Sequence, residues 1–218
     1  MPRRLPTTLV IAAIFDRHLR AALGLRRLAL YARLLTALPR YARRFARATD
    51  DAGLAECKRH FLLAGALYHE VSRRLGGVAA ERTMLAMLSE IAVLVQRRTY
   101  LPPPGARRSW EAFHARHEEE AGRGLIRLNI WSEPDRSRDR YAFTITRCRF
   151  HEAFRDMGAP ALTEAFCRSD EVVYNEYSPD VVFHRGSEAP NTIARGASRC
   201  QFVFDRPDGT RHLPTDSR

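Results

Sequence analysis

The chain has 218 residues, 45% of them hydrophobic, and a formal charge of +11. That length suits one large domain with its own core. No apolar run reaches the roughly 18 residues of a membrane span, and four cysteines make no disulfide framework.

The charge is uneven. All the basic residues are Arg except Lys58, a bias typical of GC-rich coding, so the count alone says little. Position says more: residues 1–48 hold 11 Arg against one acid, Asp16, and net +10, while the rest nets +1. The run Leu9–Phe15 is followed by Asp16-Arg17-His18 instead of a small-residue cleavage site, so a cytoplasmic protein with mostly reduced thiols is expected.

Residues 7–48 read as one or two amphipathic helices, broken or kinked at Pro39 and resuming at Tyr41. This segment, 1–48, is expected to form a basic helical extension. It either packs on its own domain with Arg facing water or lies on an anionic membrane surface. Nucleic acid is discounted, because aromatic residues are sparse and no motif is present. The long helices can also support a homodimer. A second helical block is expected over 50–75, capped by Asp50 or Asp51 and ended by Gly76-Gly77. A third runs over 78–98 and stops at Pro102-Pro-Pro-Gly105. The stretch 108–121 holds His114, His117 and Glu118–Glu120. Its spacing is not that of a zinc helix, and it reads as a solvated charged helix.

The period then changes. Residues 123–131 alternate as a strand, 134–139 form a turn, and Tyr141–Arg147 is the hairpin partner. Short helices are expected at 149–157 and 160–168, parted by Gly158-Ala-Pro160, and the last strands at Val181–Phe183 and Cys200–Phe204. From 207 to 218 a frayed tail is expected. Helices first and an antiparallel sheet last give an α+β fold with the helical half packed on the sheet, and a single α+β domain over 49–206. Nucleotide-binding glycine motifs, G-x-S-x-G and C-x-x-C are all missing.

Three cysteines in the last third carry the chemistry: Cys148, then eighteen residues to Cys167 in C-R-S-D, then Cys200 in T-I-A-R-G-A-S-R-C-Q-F. With Gly158, Pro160, Asp170, Pro179, Arg185, Thr192, Gly196 and Phe202, this set resembles the L-2-amino-thiazoline-4-carboxylic acid hydrolase family over about residues 140–205. The ending Gly196–Phe204 is more faintly similar to V4R-type ligand-binding domains, which set helices against an antiparallel sheet. The family resemblance implies hydrolytic opening of a thiazoline ring at its amidine-like carbon. Cys167 is then the first candidate nucleophile, at a helix end with Asp170 three residues on, and Cys200 the second. His184 can serve nearby, and Arg168, Arg185 or His184 could lower a thiol's pKa. Arg185 and Arg195 can hold a substrate carboxylate, with Cys148 and His151 also assigned to substrate binding.

Two alternatives stand beside this reading. A buried pocket could hold a small ligand without chemistry. The cysteines with His151 or His184 could form a metal or redox site, although no pair has short chelating spacing. Each thiol can also be plain core, Asp170 a helix cap and Gly196 a turn glycine. The sequence names no cofactor.

Overall fold

A computed structural model describes residues 6–46, 49–103, 105–187 and 189–207. Helices α1 (Thr7–Leu23), α2 (Arg26–Ala46), α3 (Ala52–His60), α4 (Leu62–Leu75), α5 (Gly77–Tyr100) and α6 (Trp110–Arg123) come first. Strands β1 (Ile130–Trp131), β2 (Asp135–Arg136) and β3 (Arg140–Arg147) follow, then helices α7 (Arg149–Asp156) and α8 (Glu164–Tyr174). Strands β4 (Val182–His184) and β5 (Cys200–Asp205) complete an antiparallel sheet of order β1-β3-β5-β4, with β2 also on β3. The fold is α+β with a helical N-terminal half. Among the described residues no helix is long and apolar enough to cross a membrane.

Two cores meet in this fold. The first is aliphatic and built between helices: Leu19 of α1, Leu30 of α2, Leu67 of α4, Met84 of α5 and Phe154 of α7 share it. The described part of residues 1–48, expected as a helical extension, contributes Leu19 and Leu30 to the helical core. One face of α1 and of α2 is part of the main helical core. The second core is aromatic and lies on the sheet, with Phe113, Tyr141, Phe143, Tyr174, Phe202 and Phe204 in it. Offset and edge-on ring pairs such as Phe113–Phe204 and Tyr174–Phe204 fill it. Helix α8 joins the two, placing Ala165 in the first core and Tyr174 in the second.

Several local expectations change. Pro39 lies inside α2 and the helix runs through it; the break falls at Gly24, whose φ of 57° few side chains allow. Proline removes one hydrogen bond, but Leu34, Tyr41 and Phe45 on either side are buried and hold both turns. The second helical block divides at Phe61, and its start is capped by Asp51, which accepts from the Leu54 amide at 2.9 Å. Burial of Ala165, Cys167, Ser169 and Val173 carries α8 to Tyr174, well beyond residue 168. Residues 208–218, which hold all but the first residue of the expected tail, lie outside the described residues.

The strand expected over 123–131 is mostly absent. Helix α6 continues to Arg123, a single 3-10 turn spans Leu125–Leu128, and only Ile130–Trp131 pair with β3. The alternating apolar residues serve two cores and not two faces of a sheet: Leu125 and Leu128 pack on the helical core and Ile126 on the aromatic one.

Helix α6 is also not a solvated charged helix throughout. Trp110, Phe113 and His117 are buried, and His117 stands among the rings of Tyr100, Phe113, Tyr141, Phe143 and Phe204. Neither ring nitrogen has a hydrogen-bond partner among the described residues. Burial pushes the His117 pKa down to about 3. The folded state holds it neutral, whereas the unfolded chain binds a proton near about pH 6.5. Its contribution is thus complete above the unfolded pKa. It declines as pH falls, by up to about 1.4 kcal/mol per pH unit. His117→Phe is expected to flatten this decline. Denaturant unfolding of both proteins at about pH 7 and pH 5 checks it, and identical slopes would refute a buried neutral His117.

Candidate functional site

The site forms where the two cores meet. Helix α8 carries Cys167 and Asp170 one turn apart, so both project to one side. Helix α5 packs against α8 and brings Gln96. The chain leaving β4 brings Arg185, and β5 opens with Cys200 opposite Ile145 of β3. Cys148 ends the run from β3 as the residue capping α7.

Arg185 and Asp170 form the centre. Arg185 Nη2 donates to Asp170 Oδ2 at 2.6 Å and more weakly to the Cys167 carbonyl at 3.4 Å. Gln96 Nε2 donates to Asp170 Oδ1. The Arg185 side chain is 3% exposed and that of Asp170 15%, so this is a buried ion pair and not a surface one. The Arg185 guanidinium lies 4.3 Å from the Phe202 ring centre and 5.4 Å from that of Phe183, which holds it over the sheet. Asp170 is therefore no helix cap.

Burial pushes the Asp170 carboxyl above the usual carboxylate range, with Arg185 and Gln96 acting against it. Burial would lower the Arg185 guanidinium, but Asp170 outweighs it and the net direction is up. Two polar atoms here lack partners among the described residues, Arg185 Nε and Gln96 Oε1, and so does Thr192 Oγ1. Thr192 follows β4 on the loop that returns to β5. Unsatisfied buried polar atoms are costly, and two of them belong to the residues bonded to Asp170, which makes this ion pair a candidate ligand site.

All three expected thiols belong to this neighbourhood. Cys167 is pushed up by burial and then by the Asp170 carboxylate, with Arg185 opposing. It is the fourth residue of α8, near the start of that helix and not at the close of one. Cys148 is pushed up to about 11 by burial, with the amides of His151 and Phe150 opposing. Cys200 is also raised by burial, and its Sγ accepts from the Ile193 amide at 3.0 Å. None is a resting thiolate at neutral pH. Cys57, on α3, is pushed up to about 12, by burial first and then by Cys148 nearby.

The remaining candidates lie elsewhere. On β4 the alternation sends Phe183 inward and His184 outward, where His184 meets Asp205 at 3.0 Å. Arg195 is exposed and pairs with Glu164, as does Arg168. His151 is half-buried, 3.4 Å from the Thr163 hydroxyl. Gly196 is a turn glycine with φ 98°, closing the turn before β5. Among the described residues no group of three or more His, Cys, Asp or Glu side chains is placed to hold a metal ion. Gln96 was not foreseen; a lone glutamine on a helix carries no motif, and only the packing of α5 on α8 reveals it.

A cleft of about 260 Å³ opens onto Arg185, bounded by Pro190, Asn191, Gly196, Arg199 and Gln201. That is below the range of drug-sized ligands and suits a small one. A larger groove of about 790 Å³ runs along Arg97, Pro103, Arg108 and Arg116. Neither cleft is lined by a thiol, but only the smaller one reaches Arg185, whose Nε is buried and unpartnered among the described residues, so the smaller cleft is the better candidate.

The family model described as L-2-amino-thiazoline-4-carboxylic acid hydrolase matches residues 55–204. The chain belongs to this family. The match covers α3–α8 and nearly the whole sheet, far more than the last third, and so includes Gln96, Cys148, Cys167, Asp170, Arg185 and Cys200. No curated protein and no solved structure matches it, and a likeness to V4R-type domains is not shown.

Proposed function

We propose that the protein is a hydrolase that opens a C–N bond of a small cyclic amidine such as L-2-amino-thiazoline-4-carboxylate. The observation that carries this reading is the buried Asp170–Arg185 pair with the unpartnered Arg185 Nε and Gln96 Oε1 in it. Such a substrate has an anionic end and a cationic, electrophilic end. Arg185 Nε–H can donate to the carboxylate, while Gln96 Oε1 can accept from an amidine N–H group.

The protonation states select the order of events. Thiols that rest protonated attack only if the proton leaves as the bond forms. Asp170, with its basicity raised by burial and one helical turn from Cys167, is the acceptor. The Cys167 sulfur adds to the amidine carbon as its proton passes to Asp170. Asp170 then returns that proton to the ring nitrogen as the C–N bond breaks. Water displaces the sulfur from the carbon, and the thiol regains a proton. The net change is addition of one water across the broken bond.

The test is turnover of L-2-amino-thiazoline-4-carboxylate by the wild type, Cys167→Ala and Cys200→Ala. Wild-type turnover and a loss of about a hundredfold or more in Cys167→Ala are expected. Because the resting thiols are neutral, iodoacetamide should label them slowly at neutral pH. Turnover unchanged in both variants would remove the covalent step.

A further inference from the structure

Helix α2 has three stripes, and the fold uses only one. Leu30, Leu34, Tyr41 and Phe45 face the core. A second stripe is apolar yet faces outward: Leu28 is 57% exposed and Leu35 76%, and Leu25, in the turn just before the helix, is 80% exposed. Ala32 and Pro39 are exposed between and after them, continuing the line at helical spacing. The third stripe is cationic and runs beside the second, through Arg26, Arg33, Arg40, Arg43 and Arg44. Among the described residues no carboxylate pairs Arg26, Arg40, Arg43 or Arg44.

The cationic stripe borders a cleft of about 350 Å³ between α2 and α4, lined by Arg33, Arg40, Arg44 and Arg73. Its floor is Glu70, a fully buried carboxylate. Glu70 accepts from Tyr41 Oη at 3.0 Å and pairs with Arg33 at 2.8 Å, Arg73 at 2.5 Å and Arg74 at 3.2 Å. One carboxylate fixes Arg33, Arg73 and Arg74 and leaves Arg40 and Arg44 without a carboxylate partner among the described residues, so the cleft remains positive and sized for an oxyanion.

We infer that α2 seats the protein on an anionic lipid bilayer, with Leu25, Leu28 and Leu35 entering the acyl boundary and the Arg33–Arg40–Arg44–Arg73 cleft holding a lipid phosphate. Exposed leucines on a soluble surface are ordinary one at a time, but a line of them beside a line of guanidinium groups is the pattern of an interfacial helix. A bilayer of anionic lipid complements both stripes. A second copy of the chain would cover the leucines but bring arginine against arginine. The only acid in residues 1–48, Asp16, is already bonded to Arg20 and Arg27. The inference is independent of the proposed hydrolysis.

Co-sedimentation of the full chain with vesicles tests it. Binding to phosphatidylcholine vesicles containing phosphatidylglycerol is expected, weakening as salt rises, with little binding to phosphatidylcholine alone. Arg40→Gln with Arg44→Gln should weaken binding about tenfold or more, and Leu28→Ser with Leu35→Ser by a similar factor. All four positions are exposed, and unchanged circular dichroism and melting would show that the variants fold. Absence of binding to the anionic vesicles, or full affinity in the leucine variant, overturns the inference. So does a homodimer in sedimentation velocity that the leucine variant abolishes. Release by inorganic phosphate, but not by chloride at matched ionic strength, would reassign the cleft to free phosphate.

Discussion

Asp170→Asn is expected to lower kcat/KM for L-2-amino-thiazoline-4-carboxylate by about a thousandfold, while leaving the protein folded. The change keeps the shape, and the single Asn oxygen can still accept from Arg185 while its amide donates to a turned Gln96 amide, but it removes the carboxylate one helical turn from Cys167. Wild-type activity should fall on the acid side with an apparent pKa above the ordinary carboxylate range, because burial disfavours the charged form. In Asp170→Asn that acid limb should vanish from the residual rate. Steady-state kinetics across pH read both effects. A variant within about fivefold of wild type would show that Asp170 handles no proton in the rate-limiting step.

The second large effect is on stability. Arg185→Met leaves Asp170 in the protein interior without its counter-ion, and should cost about 3–5 kcal/mol in denaturant unfolding. Asp170 would then favour its protonated form even more strongly. A carboxyl whose folded pKa lies above its unfolded value adds stability below the unfolded pKa and loses it as pH rises. The Arg185→Met protein should therefore gain stability relative to wild type as the solution is acidified. This slope has the opposite sign to that from His117. The double change Arg185→Met with Asp170→Leu should recover most of the lost stability without recovering turnover, since a hydrophobic pair needs no counter-charge. A single variant within about 1 kcal/mol of wild type would show that the pair is solvated and not a buried centre.

Legibility along the sequence followed the range of the interactions. The Asp51 cap, the Gly76 stop and strands β3 and β5 are set by neighbours in the chain, and the sequence marks them correctly. The segment 123–131 misleads because apolar alternation is also what a chain shows when it passes between two cores. Helix α6 misleads because Phe113 and His117 are flanked by charged residues that face water, so composition hides a buried face. The continuation of α2 through Pro39 has the same kind of cause: tertiary burial of Tyr41 and Phe45 outweighs a local break.

By itself the sequence determined the family, the α+β order of elements and the three thiols that gather with Asp170 and Arg185, because these rest on residue identity and local periodicity. Only the tertiary structure decided which side chains meet and in what charge state. It turned His184 out to Asp205, tied Arg195 to Glu164, brought Gln96 across from α5 and removed water from Asp170 and the cysteines. Those outcomes follow from strand facing, helix packing and desolvation. All three depend on groups far apart in the chain, and no local pattern encodes them.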